Sequence, residues 1–198
     1  MQQIAILVRH GESEANAKGI ISRDINKFPL TPLGREQARN SGKQLAEFKS
    51  LINGVYSSPL LRAQQTAQEF LTGMNLSKNI EILDGLTETY FGEHNNIPIS
   101  EFPVYHKKQF GIEPFEDNGK RILNAIMNRE GMNLYFSHML PIKATVCNLL
   151  DIMEEDARSI IIKNASLTVL EPENGKVHSI GALELSERLK GILHSFSR

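Results

Sequence analysis

Three observations predict a three-layer α/β/α sandwich with a mostly parallel central sheet. A short apolar run opens the chain, strands lead directly into helices at several places, and a hairpin signal stands near the end. Ile4–Val8 is a continuous apolar run, which suits a strand buried on both faces of a parallel sheet, and it stops at Arg9-His10-Gly11. Thr31 before Pro32 reads as a helix N-cap with a first-turn proline. Gly34, Ala38, Ser41 and Leu45 then recur at helical spacing through about Phe48, giving a face of small residues suited to close packing.

Val55–Ser57 predicts a second strand, and Ser58-Pro59 a second helix start, with Arg62, Ala63 and Ala67 leading to about Leu71. Ile80–Leu83 predicts a third strand. The polar, proline-interrupted stretch from Thr87 to Gly119 reads as a loop-rich lid inserted in a single domain that spans residues 1–198. Gly119–Arg129 carries Ile122, Leu123, Ile126 and Met127 at helical spacing, with Gly131 as its expected terminator. Asn133–Ser137 then reads as a strand, and His138 stands between it and an apolar helix from Pro141 to about Leu150. Ile160–Ile162, Leu167–Leu170 and Val177–Ile180 predict closing strands, with Glu173-Asn174-Gly175 as a turn.

Composition narrows the function. The 198 residues are 40% hydrophobic and 23% charged, which places the chain among globular proteins. A formal net charge of -1 supplies no global basic field, so neither nucleic acid nor an anionic membrane is expected as a partner. No segment has the apolar length to span a bilayer and Met1–Val8 lacks a secretory leader, so a cytoplasmic address is expected. Cys147 is the single cysteine and sits in the apolar run Ala144–Leu150, which reads as core and excludes an intrachain disulfide.

In an open α/β sheet, ligands collect beyond the carboxyl ends of the strands, and the unusual polar residues fall there. The first strand delivers Arg9 and His10, the second Ser57-Ser58 with Arg62, the third leads to Glu88, and a later one delivers His138. A dianionic phosphoryl group calls for forked donors, which Arg9 and Arg62 offer. Arg62 also lies near a helix N-terminus, where free N–H groups favour an anion. A neutral imidazole can attack phosphorus when its other nitrogen is held by an acceptor, a role for His10, with Gly11 letting the backbone pass close to the phosphate. Glu88 can protonate the leaving alkoxide and later take a proton from water, and His138, if protonated, can neutralise charge in the transition state.

Leu7-Val8-Arg9-His10-Gly11-Glu12-Ser13 with Asn16 resembles the opening signature of the phosphoglycerate mutase-like branch of the histidine phosphatase superfamily. Ser57 to Ala67, Leu86-Thr87-Glu88 with Phe91-Gly92, and Phe136-Ser137-His138 are similar to the later blocks of that family, in family order and over nearly the whole chain. The resemblance implies that His10 is phosphorylated, that Arg9, Arg62 and His138 hold the phosphoryl group, and that Glu88 is the proton donor. It further implies that Asn16, Ser22 and the backbone of Met139 lie beside the substrate phosphate.

Met139 replaces a glycine common in relatives, and Glu93-His94-Asn95 departs from their usual loop, so substrate identity does not carry over. No cofactor is implied. A zinc site built from His10, His138 and Glu88 is disfavoured by the absence of i, i+4 ligand spacing and by the neighbouring arginines. Glu93 is the alternative acid, His94, His106, His178 and His194 read as surface histidines, and Lys107-Lys108 as a solvated pair. The expected activity is metal-independent hydrolysis of a small phosphorylated metabolite. Phosphoglycerate mutase is the alternative, and a catalytically silent phospho-ligand-binding relative a third possibility.

Overall fold

A computed structural model describes residues 3–102 and 110–196, so His106, Lys107 and Lys108 lie outside the described residues. A six-stranded sheet runs β4-β3-β6-β1-β7-β8. β1 (Gln3–Arg9), β3 (Ile52–Ser57), β4 (Glu81–Ile82) and β6 (Gly131–Ser137) are parallel, while β7 (Leu167–Glu171) and β8 (Lys176–Ala182) add an antiparallel edge. The four parallel strands therefore present their carboxyl ends at one rim of the sheet. There the chain must turn into helices and polar side chains can gather.

The strict alternation of β1 sorts the core into two layers. Ile4, Ile6 and Val8 face one cluster with Phe48, Phe70, Met74, Leu189 and Leu193, whereas Ala5 and Leu7 face another with Ile122, Ile126, Ile142 and Val146. Helices α2 (Pro32–Gln44), α3 (Leu61–Met74) and α6 (Glu187–Ser195) cover the first face, and α4 (Phe115–Ile126) and α5 (Met139–Leu150) the second. The expected three-layer sandwich is present. Each fully buried Ile, Leu or Phe in these clusters contributes roughly 1.5–3 kcal/mol of transfer free energy.

Thr31 caps α2 as expected, its hydroxyl accepting from the Gly34 amide at 3.0 Å with Pro32 in the first turn. The small face does pack closely. A Cβ on Gly42 would lie 2.1 Å from the Phe70 carbonyl oxygen, and one on Gly73 the same distance from that of Arg39. Glycine at both places lets α2 and α3 touch through their backbones. Cys147 is buried in α5, also as expected.

Several elements depart from expectation. Ile160–Ile162 forms no strand, because β7 already occupies the free edge of β1 through Ala5–Val8. The Ile162 carbonyl instead accepts from Arg9 Nη1 at 2.6 Å. The third strand shrinks to Glu81–Ile82, paired only with Tyr56 and Ser57 at the sheet edge.

α4 begins at Phe115, four residues earlier than Gly119, and Asn128 takes the first left-handed turn after it, at φ 61°. Gly131, also left-handed at φ 75°, opens β6. α5 starts at Met139 rather than Pro141, and α2 ends at Gln44, followed by a 3-10 segment over Ala46–Leu51. α6, the short helix α1 (Glu14–Ala17) and a ribbon of β2 (Ile20–Ile21) with β5 (Ile97–Pro98) had not been expected. That ribbon ties the segment after Thr87 to the loop that follows α1.

Candidate active site

His10 leaves the end of β1 with its amide donating to the Ser137 carbonyl at 3.0 Å, and Asn164 Nδ2 donates to its carbonyl at 3.1 Å. The backbone at this residue is therefore pinned from both sides. Its Nδ1 lies 2.7 Å from the Gly11 carbonyl oxygen, which can only accept, so Nδ1 carries the proton and Nε2 the lone pair. Arg62 Nε donates to that Nε2 at 3.1 Å. Burial, then the charges of Arg62 and Arg9, hold the His10 imidazole well below its ordinary pKa, outweighing the opposite pull of the Gly11 carbonyl.

Gly11 also has a packing role. A Cβ there would lie 2.3 Å from the Gly34 carbonyl oxygen, so this glycine lets α2 press against the segment after β1, while its amide donates to Thr66 Oγ1 at 3.0 Å.

Arg62 stands in the first turn of α3 and is buried, its Nη2 donating to the Ser22 carbonyl at 2.8 Å. Ser58-Pro59 does not cap this helix in the expected manner. Leu60 holds the cap position with no side-chain bond of its own, while Ser58 Oγ accepts from the Leu60 amide at 3.3 Å and contacts His138 Nε2 at 2.8 Å. Assigning the Ser58 hydroxyl as donor to Nε2, an arrangement favoured by the Glu88 Oε2 oxygen 3.9 Å from Nδ1, puts the His138 proton on Nδ1. The His10 and His138 rings lie 5.1 Å apart between centroids. Burial and then Arg62 hold His138 well below its usual pKa in the phosphate-free site.

Glu88 follows a short 3-10 turn and is buried, with Oε1 accepting from the Thr89 amide at 3.0 Å. Burial raises its pKa, opposed by Arg62, the Thr89 amide and Arg9. Arg121 of α4 braces this segment: Nη1 donates to the carbonyls of Gly85 and Thr87, each at 2.8 Å, while the rest of its fork grips Glu113 and Asn118. Glu113 in turn accepts from the Tyr90 amide, and Asn118 from Thr89 Oγ1. Every residue flanking Glu88 is thus held.

A cavity of about 270 Å³ is lined by Arg9, His10, Asn16, Ser22, Arg62, Glu88 and Met139, which brings together seven of the eight residues expected at the site. His138, the eighth, sits fully buried behind it. Within the described residues, Arg9 Nε, Arg62 Nη1 and His138 Nδ1 are buried N–H positions without a protein partner. Three such donors beside an unprotonated imidazole nitrogen fit a tetrahedral oxyanion, and the two guanidiniums supply positive charge.

Asn16 is exposed at the rim, its Oδ1 occupied by Ser13 and by Asn164. Ser22 directs its hydroxyl to Asn96 at 2.7 Å, so its carbonyl is the group that meets Arg62. Glu93 is exposed and outside the cavity wall, which leaves Glu88 as the carboxyl at the site. His94 packs its ring against Phe102 and Phe110 rather than entering the cavity. His178 pairs with Glu171, and His194 stacks on Phe48.

The sequence brings Ser57-Ser58 to this end of the sheet without disclosing the contact of Ser58 with His138, and it does not disclose Asn164, Arg121 or the apolar wall formed with Phe91, Ile99 and Phe102.

Known proteins share both sequence and fold with this chain. A 2,3-bisphosphoglycerate-dependent phosphoglycerate mutase from Thermoplasma acidophilum is 35% identical over 202 residues, covering 97% of this chain and 98% of that protein. A protein from Hydrogenobacter thermophilus, provisionally named phosphoserine phosphatase 2, is 30% identical over 187 residues, covering 86% and 90%. The crystal structure of phosphoserine phosphatase from Entamoeba histolytica in complex with 3-phosphoglyceric acid superposes with a TM-score of 0.73 at 25% identity, over 94% of this chain and 99% of that one. No helix among the described residues is long and apolar enough to cross a membrane. Residues 5–181 match the histidine phosphatase superfamily (branch 1), and the chain belongs to that family.

Proposed function

We propose that the protein hydrolyses small phosphate monoesters through a phosphohistidine formed on His10. The observation that carries this reading is the tautomer of His10. Its Nδ1 proton is held by the Gly11 carbonyl, so the lone pair of Nε2 lies in a pocket beside Arg62 and a buried carboxyl.

In the first half-reaction Nε2 forms a bond to phosphorus as the ester oxygen leaves, and that oxygen takes the proton of Glu88, whose carboxyl burial keeps protonated to higher pH than usual. Arg9 Nε, Arg62 Nη1 and His138 Nδ1 offer N–H groups to the three equatorial oxygens, where charge spreads in the transition state. In the second half-reaction water attacks phosphorus, Glu88 takes its proton, and inorganic phosphate departs with His10 restored. The described residues 87–102 border this centre through Glu88, Phe91, Ile99 and Phe102 and join the rest of the chain through the β2–β5 ribbon, which supports reading segment 87–119 as a lid.

Phosphoglycerate mutase is the second reading, favoured by the name of the Thermoplasma relative. A mutase must keep water from the phosphohistidine and hold a glycerate carboxylate or second phosphate with further cations. Among the described residues, the cavity wall offers no cation beyond Arg9 and Arg62. The two readings separate when the protein is incubated with 3-phosphoglycerate and catalytic 2,3-bisphosphoglycerate while 2-phosphoglycerate and free phosphate are followed together. Release of phosphate ahead of isomerisation supports the phosphatase; accumulation of 2-phosphoglycerate with flat phosphate makes the protein a mutase.

A further inference from the structure

The cavity wall is of two kinds. Beside Arg9, His10, Arg62, Glu88 and the polar Ser13, Asn16 and Ser22, it carries the apolar Ile20, Ile21, Phe91, Ile99, Phe102 and Leu140 together with Met139. Phe91 is 4% exposed and packs edge-to-face on Phe102 at 5.7 Å, so this part of the wall is built, while Ile99 is 64% exposed and keeps apolar surface at the mouth. Such a lining favours apolar carbon over hydrated groups.

Charge points the same way. Arg23, a neighbouring cation, is not part of the wall: its Nε donates to the Glu88 carbonyl at 3.0 Å and its guanidinium lies 5.6 Å from the Tyr90 ring centroid. Arg121 spends its donors on Gly85, Thr87, Glu113 and Asn118. Inside this cavity a carboxylate or second phosphate carried near the ester oxygen would meet hydrocarbon, Glu88 and the neutral Ser13, Asn16 and Ser22, whereas the described cations Lys143, Arg158 and Lys163 line the neighbouring cavity that shares Arg9 and Met139.

Resting on the phosphatase reading of the same site, we infer that the alcohol half of the substrate is apolar and uncharged next to the ester oxygen: an aryl, arylalkyl or alkyl phosphate rather than a phosphorylated hydroxy or amino acid. Met139 fits this inference. Its unbranched thioether lines the cavity and adapts to flat or branched apolar groups.

The experiment compares benzyl phosphate with O-phosphoserine and 3-phosphoglycerate, all esters of primary alcohols, so that intrinsic leaving-group differences are small. kcat/KM should favour benzyl phosphate by at least about tenfold, with the difference in KM. Ile99→Lys places a cation at the exposed mouth and should raise kcat/KM for 3-phosphoglycerate while lowering it for benzyl phosphate. Equal or better use of the anionic esters by the wild-type protein overturns the inference, and their loss in Lys107→Ala/Lys108→Ala would identify the cations that hold them. Calorimetric binding of benzylphosphonate against 3-phosphonopropionate is independent of turnover. Tighter benzylphosphonate binding without hydrolysis of any ester sustains the inference and overturns the phosphatase reading, whereas hydrolysis with tighter 3-phosphonopropionate binding does the reverse.

Discussion

Arg62 Nε donates to His10 Nε2 at 3.1 Å, so the positive end of one side chain rests on the lone pair of the other. An imidazole in that position resists protonation, because a proton on Nε2 would displace the hydrogen bond and face the guanidinium charge without water. The contact also poises the pair for an anion, since the same guanidinium keeps a buried Nη1 with no partner among the described residues.

The first prediction concerns stability against pH. His10 and His138 are both buried and held well below their usual pKa of 6.5, so between that value and their folded pKa values the unfolded chain binds protons that the folded protein does not. Stability is full above about 6.5 and falls with decreasing pH, by up to about 1.4 kcal/mol per pH unit for each histidine. Glu88, with a raised pKa, acts in the opposite sense over its own range. Denaturant midpoints from pH 7.5 to 5 should decline in the wild type and decline less in His10→Asn. An unchanged slope in the variant would show that His10 titrates normally.

Glu88 yields the second. Glu88→Gln should lower kcat on the order of 10²- to 10⁴-fold for alkyl phosphates and far less for p-nitrophenyl phosphate, whose leaving group needs little protonation. In the wild type, alkyl phosphate turnover should fall as pH rises through the Glu88 pKa, because the protonated form does the work. Equal losses for both esters would make Glu88 a positioning group only.

Arg121 provides the third, as a positioning residue that holds the carbonyls of Gly85 and Thr87, on either side of Leu86 and directly before Glu88. Arg121→Met should mimic Glu88→Gln in its dependence on the leaving group, slowing alkyl phosphates more than p-nitrophenyl phosphate, and Arg121→Lys should recover part of the loss. A uniform slowing across leaving groups would reduce its role to general stability.

The fourth is structural. A Cβ on Gly34 would lie 2.0 Å from the Glu12 carbonyl oxygen, with both groups on backbone that cannot swing aside. Gly34→Ala should destabilise the fold by about 1–3 kcal/mol and lower activity by displacing the segment that carries His10. Unchanged thermal unfolding would mean that α2 can retreat without cost.

The parts legible in the sequence were those fixed by local chemistry. Ile4–Val8 read as a strand because burial on both sheet faces demands an unbroken apolar run, and Thr31-Pro32 read as a helix start because the cap hydroxyl and the proline act within one turn. The polar residues at the strand ends mark the site for the same reason, since charged groups at the end of a buried strand need a purpose.

What escaped depends on distant partners. Ile160–Ile162 has strand composition, yet β7 takes the edge it would need. Ser58 has cap composition, yet its hydroxyl also reaches His138, eighty residues away in sequence. Asn164 and Arg121 show nothing locally of the contacts they make with His10 and with the Glu88 segment. α6 did carry a signal, with Ser186 as its cap and Leu189 and Leu193 four residues apart on the buried side, but its short polar sequence is helical mainly through docking on the first core layer.

The central claim is that His10 Nε2 becomes covalently bound to phosphorus, and rapid mixing with phosphorus-labelled substrate followed by alkaline denaturation tests it most directly. The label should remain on the protein, map to His10, survive alkali, be released by acid, and vanish in His10→Ala. Label on Ser57 or Ser58, or label undiminished in His10→Ala, would contradict the account.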